Sequence, residues 1–140
     1  MRYMIIVKMT EPSPPPSPEM LAAMGKLNQE MVEAGVLLGG EGLQPSKSGA
    51  KVKMEGGKLV VRDGPFTEAK ELIGGFWIIK ADSLEEAVGW VKKIPMWNEG
   101  EEVEVRRVSE VEDFIHDDIS AEALDREKAQ RESGAWPENR

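Results

Sequence analysis

Asp63-Gly64-Pro65-Phe66-Thr67-Glu68-Ala69-Lys70-Glu71 places a turn, an aromatic ring and four ionisable side chains within nine residues, between two runs that read as strands. Asp-Gly after a strand is a turn signal. Pro65 fixes the backbone immediately after it, so the chain leaves the corner at Phe66 in a defined direction. Thr67 can cap a single helical turn on which Glu68 and Glu71, three residues apart, share a face with Lys70 beside them. Turned inward, Lys70 holds the carboxylates ionised, while burial or mutual repulsion raises the pKa of one of them toward the range useful for acid or base work. Turned outward, these are solvated charges of little energetic weight. The residues alone leave both readings open.

Upstream of this corner, Lys51-Val52-Lys53-Met54 and Leu59-Val60-Val61-Arg62 flank Glu55-Gly56-Gly57-Lys58, which spells a β-hairpin with the glycine pair supplying positive φ. Downstream, Ile73 to Lys80 reads as a strand that is apolar on both faces and so belongs near the middle of a sheet. Arg2 to Met9 has the same character, with Tyr3, Ile5, Val7 and Met9 on one face and Met4 and Ile6 on the other.

Between these strands, Glu11 to Pro16 is a proline-rich loop, and Ser17-Pro18-Glu19 opens a helix. Serine caps it, proline suits its first position, and glutamate complements the positive end of the dipole. The helix is expected to reach Ala34 with Met20, Met24, Leu27 and Met31 on one face, and Gly35 ends it. That stripe is core by the plain reading, although a run of methionines also suits an adaptable groove.

Val36-Leu37-Leu38 is a short strand that runs into Gly39-Gly40-Glu41-Gly42-Leu43. Here the glycines either let a backbone come close to a ligand beside Glu41 or mark a bulge with a solvated carboxylate. Ser83-Leu84-Glu85-Glu86 is a capping box opening a second helix, with Leu84, Ala87, Val88, Val91 and Ile94 on a common face and Pro95 beyond it. Glu101 to Val108 alternates like a half-solvated strand. The resulting order is strand, helix, strand, hairpin, strand, helix, strand. It predicts a ferredoxin-like, split βαβ α+β domain with an inserted β-hairpin over residues 1–108. Residues 109–140 form an acidic, partly helical extension too poor in apolar side chains to build its own core, with Trp136 as a possible anchor.

Bulk properties set further limits. A chain of 140 residues, 40% hydrophobic and 31% charged, fits one globular domain. Its formal charge of −8 speaks against direct nucleic-acid binding, which needs surplus Lys and Arg. The absence of cysteine excludes disulfides, thiolate metal sites and cysteine nucleophiles. No stretch approaches the roughly 18 apolar residues of a membrane span, and no signal-peptide pattern opens the sequence, so a cytoplasmic protein without membrane partners is expected.

Asp63-Gly64-Pro65-Phe66, followed by Glu68, Lys70-Glu71 and Gly75, closely resembles the signature of the DGPF family within the YCII-related proteins. The resemblance covers about the first three quarters of the chain. It includes the Arg2-Tyr3-Met4 start, the Gly39 to Leu43 segment, and the Ser83-Leu84-Glu85-Glu86-Ala87 helix with the final valine strand.

What the resemblance implies is a homodimeric α+β barrel, in which two sheets enclose a cleft near the subunit interface. It implies no established reaction. Some relatives are described as transcription initiation proteins through association with sigma factors, and smaller ones are thought to place a His and an Asp in the cleft. This chain departs from that pattern at its single histidine, His116, which lies in the acidic extension, and at Ala69, where relatives commonly carry Thr.

Two function classes follow. One is a cofactor-free enzyme acting on a small organic molecule. In it Asp63 or Glu68 serves as general acid or base, and Lys70 and backbone N–H groups near Gly64 stabilise negative charge. Glu41 and Glu71 are polar contacts, and Phe66 and Trp77 form an apolar wall. The other is a ligand-sensing or protein-binding dimeric module linked to transcription regulation. An oxygen-ligand site for Mg²⁺ or Ca²⁺ built from Glu41, Asp63, Glu68 and Glu71 has no diagnostic spacing, and no metal or cofactor is expected.

Overall fold

The computed structural model describes residues 1–11, 13–66, 72–95, 97–114 and 117–136. Among the described residues, six strands and three α-helices follow one another as β1 (Arg2–Lys8), α1 (Pro18–Glu33), β2 (Leu37–Gly42), β3 (Ala50–Glu55), β4 (Lys58–Asp63), β5 (Ile73–Lys80), α2 (Leu84–Val91), β6 (Val103–Arg107) and α3 (Asp118–Glu132). Four strands make one sheet in the order β2-β5-β1-β6, and β3 and β4 pair separately as a hairpin. Every pairing is antiparallel. The architecture is α+β with open sheets and, among the described residues, no closed barrel.

The two strands that are apolar on both faces, β1 and β5, occupy the centre of the four-stranded sheet as expected. Only there is a strand flanked by a neighbour on each edge while both faces need apolar cover. Tyr3 and Ile5 of β1 and Trp77 and Ile79 of β5 turn to one face. There they meet Leu27 and Met31 of α1 and Ala87 and Val91 of α2 in a single core cluster. Ile5, Met31 and Ile79 are essentially solvent-free, and each such side chain stabilises the fold by about 2 kcal/mol through burial.

Local chemistry sets the helix ends. The Ser17 hydroxyl accepts a hydrogen bond from the Met20 N–H at 3.1 Å, with Pro18 at the first helical position. Past the last turn of α1, Gly35 takes φ +71°, a conformation that costs other residues energy. At α2, Ser83 Oγ accepts from the Glu86 N–H, whereas Glu86 returns its carboxylate to the N–H of Asp82 rather than to that of Ser83. Leu84 differs from expectation: it is 53% exposed, because the first turn of α2 overhangs a cluster that begins at Ala87. In the β3–β4 hairpin, Gly56 and Gly57 both take positive φ, as a two-residue turn requires.

The extension is tied on at its beginning. The Arg2 guanidinium donates to both carboxylate oxygens of Glu110, at 2.9 and 3.2 Å, and the Val108 N–H donates to the Arg2 carbonyl. Beyond it, α3 is capped by Asp117, whose carboxylate accepts from the Ser120 N–H at 2.6 Å. No residue of α3 is buried. Trp136 packs back onto the same helix, its ring 4.3 Å from the Arg131 guanidinium. No described helix is long and apolar enough to cross a membrane.

Candidate functional site

The corner at Asp63 to Phe66 is held by Glu11, Ser46 and Gly49, all remote from it in sequence. Glu11, just past β1, accepts two hydrogen bonds from Ser46, one from its N–H at 2.6 Å and one from its hydroxyl at 2.5 Å. The Ser46 oxygen in turn accepts the Phe66 N–H at 3.0 Å. Gly64 donates its N–H to the Gly49 carbonyl at 2.9 Å and lies so close to Ser46 that an added Cβ would fall 1.7 Å from the Ser46 carbonyl oxygen. The Gly64–Pro65 peptide bond is cis. Above the corner, Lys51 Nζ stands 4.6 Å from the centre of the Phe66 ring, within cation–π range.

The Ser46 hydroxyl first, and its N–H second, hold the Glu11 carboxyl below the usual carboxylate range. This arrangement corrects one expectation. The N–H groups of Gly64 and Phe66 are already engaged within the fold, and Pro65 has none, so the corner offers its backbone to Gly49 and Ser46 rather than to developing negative charge. Neither Glu11 nor Ser46 was legible as a partner. They lie 35 residues apart, and Ser46 is 20 residues from Phe66.

Register decides where Glu41 goes. Leu37 pairs with Ile79, but Gly39 pairs with Ile78, so Leu38 is an extra residue that bulges β2. After the bulge, Glu41 pairs with Phe76, and Phe76 and Glu104 both pair with Ile6. The row Glu41, Phe76, Ile6, Glu104 therefore crosses the sheet on the face opposite the helices, with a carboxylate at each edge strand and apolar side chains between. Met4 and Ile78 extend the apolar centre by a second row. None of these apolar side chains reaches full burial. Lys8 pairs with Glu104 at 3.5 Å on the same face.

The remaining predicted residues separate. Asp63 ends β4 and is exposed. Trp77 stands on the helix face, 8% exposed, and donates its indole N–H to Asn28 at 2.9 Å, so it belongs to the core while Phe66 belongs to the corner. Gly40 accommodates it: a Cβ there would meet the indole at 2.8 Å. The glycines around Glu41 thus serve the bulge and the close approach to Trp77. Glu68, Lys70 and Glu71, together with Thr67, Ala69 and His116, lie outside the described residues. An open depression of about 490 Å³ is lined by Lys8, Trp97, Glu101, Glu102, Val103 and Glu104, none of them a predicted site residue. Among the described residues no cluster of His, Asp and Glu is arranged to hold a metal ion.

The chain is 34% identical over 71 residues to the uncharacterized protein R00369 of Rhizobium meliloti (strain 1021). The match covers 51% of this chain and 57% of that protein, so the chain spans little more than half the length of its curated relative. The YCII-related domain matches residues 1–112, which hold both the corner and the four-stranded sheet, and the chain therefore belongs to the YCII-related family.

Proposed function

We propose that this YCII-related chain is a ferredoxin-like subunit that pairs as a homodimer, and that the space between the two open sheet faces holds a small organic molecule. The observation carrying this reading is the row Glu41, Phe76, Ile6, Glu104: apolar in the middle, acidic at both rims, and on the face that contributes nothing to the helix-side core. The strand order β2-β5-β1-β6 supports the ferredoxin-like assignment, since β1 and β2 are split by β5, and β5 and β6 by β1. A second copy laid over the open face closes the α+β barrel and dries the apolar row.

The chemistry is acid/base work without a cofactor. Asp63 or Glu68 is the proton-transfer group, Lys70 stabilises negative charge, and Glu41, Glu71 and the Phe66 ring position the substrate. A thermal-shift screen of a metabolite library finds the ligand. Asp63→Asn and Glu68→Gln then abolish its binding or turnover while the ligand-free midpoint stays within a degree or two. A large fall in midpoint with ligand binding intact makes the motif a structural corner only. Sedimentation is expected to give a mass near twice 15.5 kDa.

A second reading, a ligand-sensing module acting on a regulatory partner, draws support from α3, a 15-residue helix with no buried side chain. Removal of residues 109–140 would then leave ligand binding intact and abolish the response of the partner.

A further inference from the structure

Cross-strand partners in a hairpin share a side. In the β3–β4 arm, Val52 pairs with Val61 and Met54 with Leu59 on one side, whereas Lys51 pairs with Arg62, Lys53 with Val60 and Glu55 with Lys58 on the other. On the basic side Lys51 lies over Phe66 and Val60 is half-buried, while Lys53, Lys58 and Arg62 are exposed. The apolar side points away, with Val52, Met54, Leu59 and Val61 between 61% and 69% exposed. A hairpin packed on its own core has the opposite arrangement. Side chains of this size put roughly 400 Å² of apolar surface into water, as much as the largest patch on a typical monomer. A lone two-stranded hairpin is also marginal without cover.

We infer that the apolar side of the arm is covered by a second copy of this chain, each arm lying on the body of its partner beside the facing sheets. The inference rests on the homodimer proposed above and adds a second interface element to it.

Charge selects the occupant. Residues 50–63 carry four basic and two acidic side chains, so against −8 for the whole chain the rest of the molecule holds −10. An arm is attracted to the acidic body of another copy and repelled by a second arm. Two arms buried in this way contribute roughly 800 Å², a substantial part of the 1,200–2,000 Å² of a stable interface. The sheet faces supply the remainder.

Sedimentation equilibrium of wild type and of a Val52→Ser, Leu59→Ser double variant, which removes apolar surface without changing charge, tests this. Both positions are exposed, so the subunit keeps its core, and the dimer dissociation constant is expected to rise about tenfold or more. In the wild type, amide hydrogen exchange over residues 50–63 is expected to slow as protein concentration increases, a readout independent of any variant. An unchanged dissociation constant, or arm exchange indifferent to concentration, overturns the inference. A dimer broken by Phe76→Lys but not by the arm variant overturns the arm contact and keeps the sheet-face homodimer. A monomeric wild type overturns both, including when its arm is taken up by another macromolecule.

Discussion

Gly64 lies against the backbone of Ser46 so closely that a methyl group on its Cα would sit 1.7 Å from the Ser46 carbonyl oxygen. The obstacle is backbone, held by the hydrogen bond that the Ser46 N–H donates to Glu11, so it cannot swing aside as a flexible side chain would. Gly64→Ala is therefore expected to destabilise the protein by about 1–3 kcal/mol, the usual range for overpacking. Urea unfolding midpoints of the two proteins check this. An unchanged midpoint would mean that the corner is free to move off Ser46.

The Ser46 hydroxyl donates to Glu11 and accepts from the Phe66 N–H, so Ser46→Ala deletes both bonds at once. The expected cost is about 1–2 kcal/mol, with the Phe66 amide exchanging faster than in the wild type. Exchange rates at Phe66 that match between the two proteins would remove Ser46 as the clamp.

Glu11 gives that clamp a pH dependence of known sign. Its folded pKa is lowered by the Ser46 hydroxyl and N–H. Its contribution is therefore present above the carboxyl's unfolded pKa and disappears as pH falls through the lower folded value. The difference in stability between wild type and Glu11→Gln should shrink on acidification through that window. Parallel pH profiles would show that Glu11 does not act as a carboxylate.

Leu38 is the extra residue of β2; were it paired in regular register with Ile78, Glu41 would fall opposite Gly75, on the helix face. Deleting Leu38 removes the bulge while Leu37 stays opposite Ile79 and Glu41 opposite Phe76, so the ladder between β2 and β5 should close into regular register. The deletion and Leu38→Ala, which retains the bulge, are both expected to keep the β2 amides protected in hydrogen exchange, whereas loss of protection in the deletion would mean that Leu38 is not the extra residue.

Trp77 donates its indole N–H to Asn28 from within the helix-side core. Trp77→Phe keeps most of the apolar volume and orphans the Asn28 oxygen, for an expected loss of about 1–2 kcal/mol. Ile79→Ala leaves a cavity in the same cluster and should cost about 2–5 kcal/mol. Thermal midpoints rank the two, and equal effects would contradict the burial of Ile79.

Much of the fold was readable along the chain because its determinants are local. The serine caps of α1 and α2, the paired glycines of the hairpin, and the two-faced apolar runs that marked β1 and β5 as central strands act within a few residues of where they are written. Leu84 misled because helical period tells which side a residue is on but not where along the helix the core begins.

The site was less legible. Sequence located the Asp63 corner but not its clamp, because Glu11 and Ser46 reach it only through folding. It found Glu41 among glycines but could not choose between bulge and ligand approach. That choice depends on pairing with β5, where one added residue moves a side chain across the sheet. Trp77, suggested as a wall for the cleft, proved to be core for the same reason of facing.

By itself, then, the sequence determined element type, element order and the position of the rigid corner, since caps, turns and hydrophobic period are short-range physics. Only the tertiary structure decided which face each strand residue serves, what holds the corner, and that the hairpin turns its apolar side outward. Those depend on register and on contacts between residues far apart in the chain, which no local pattern encodes.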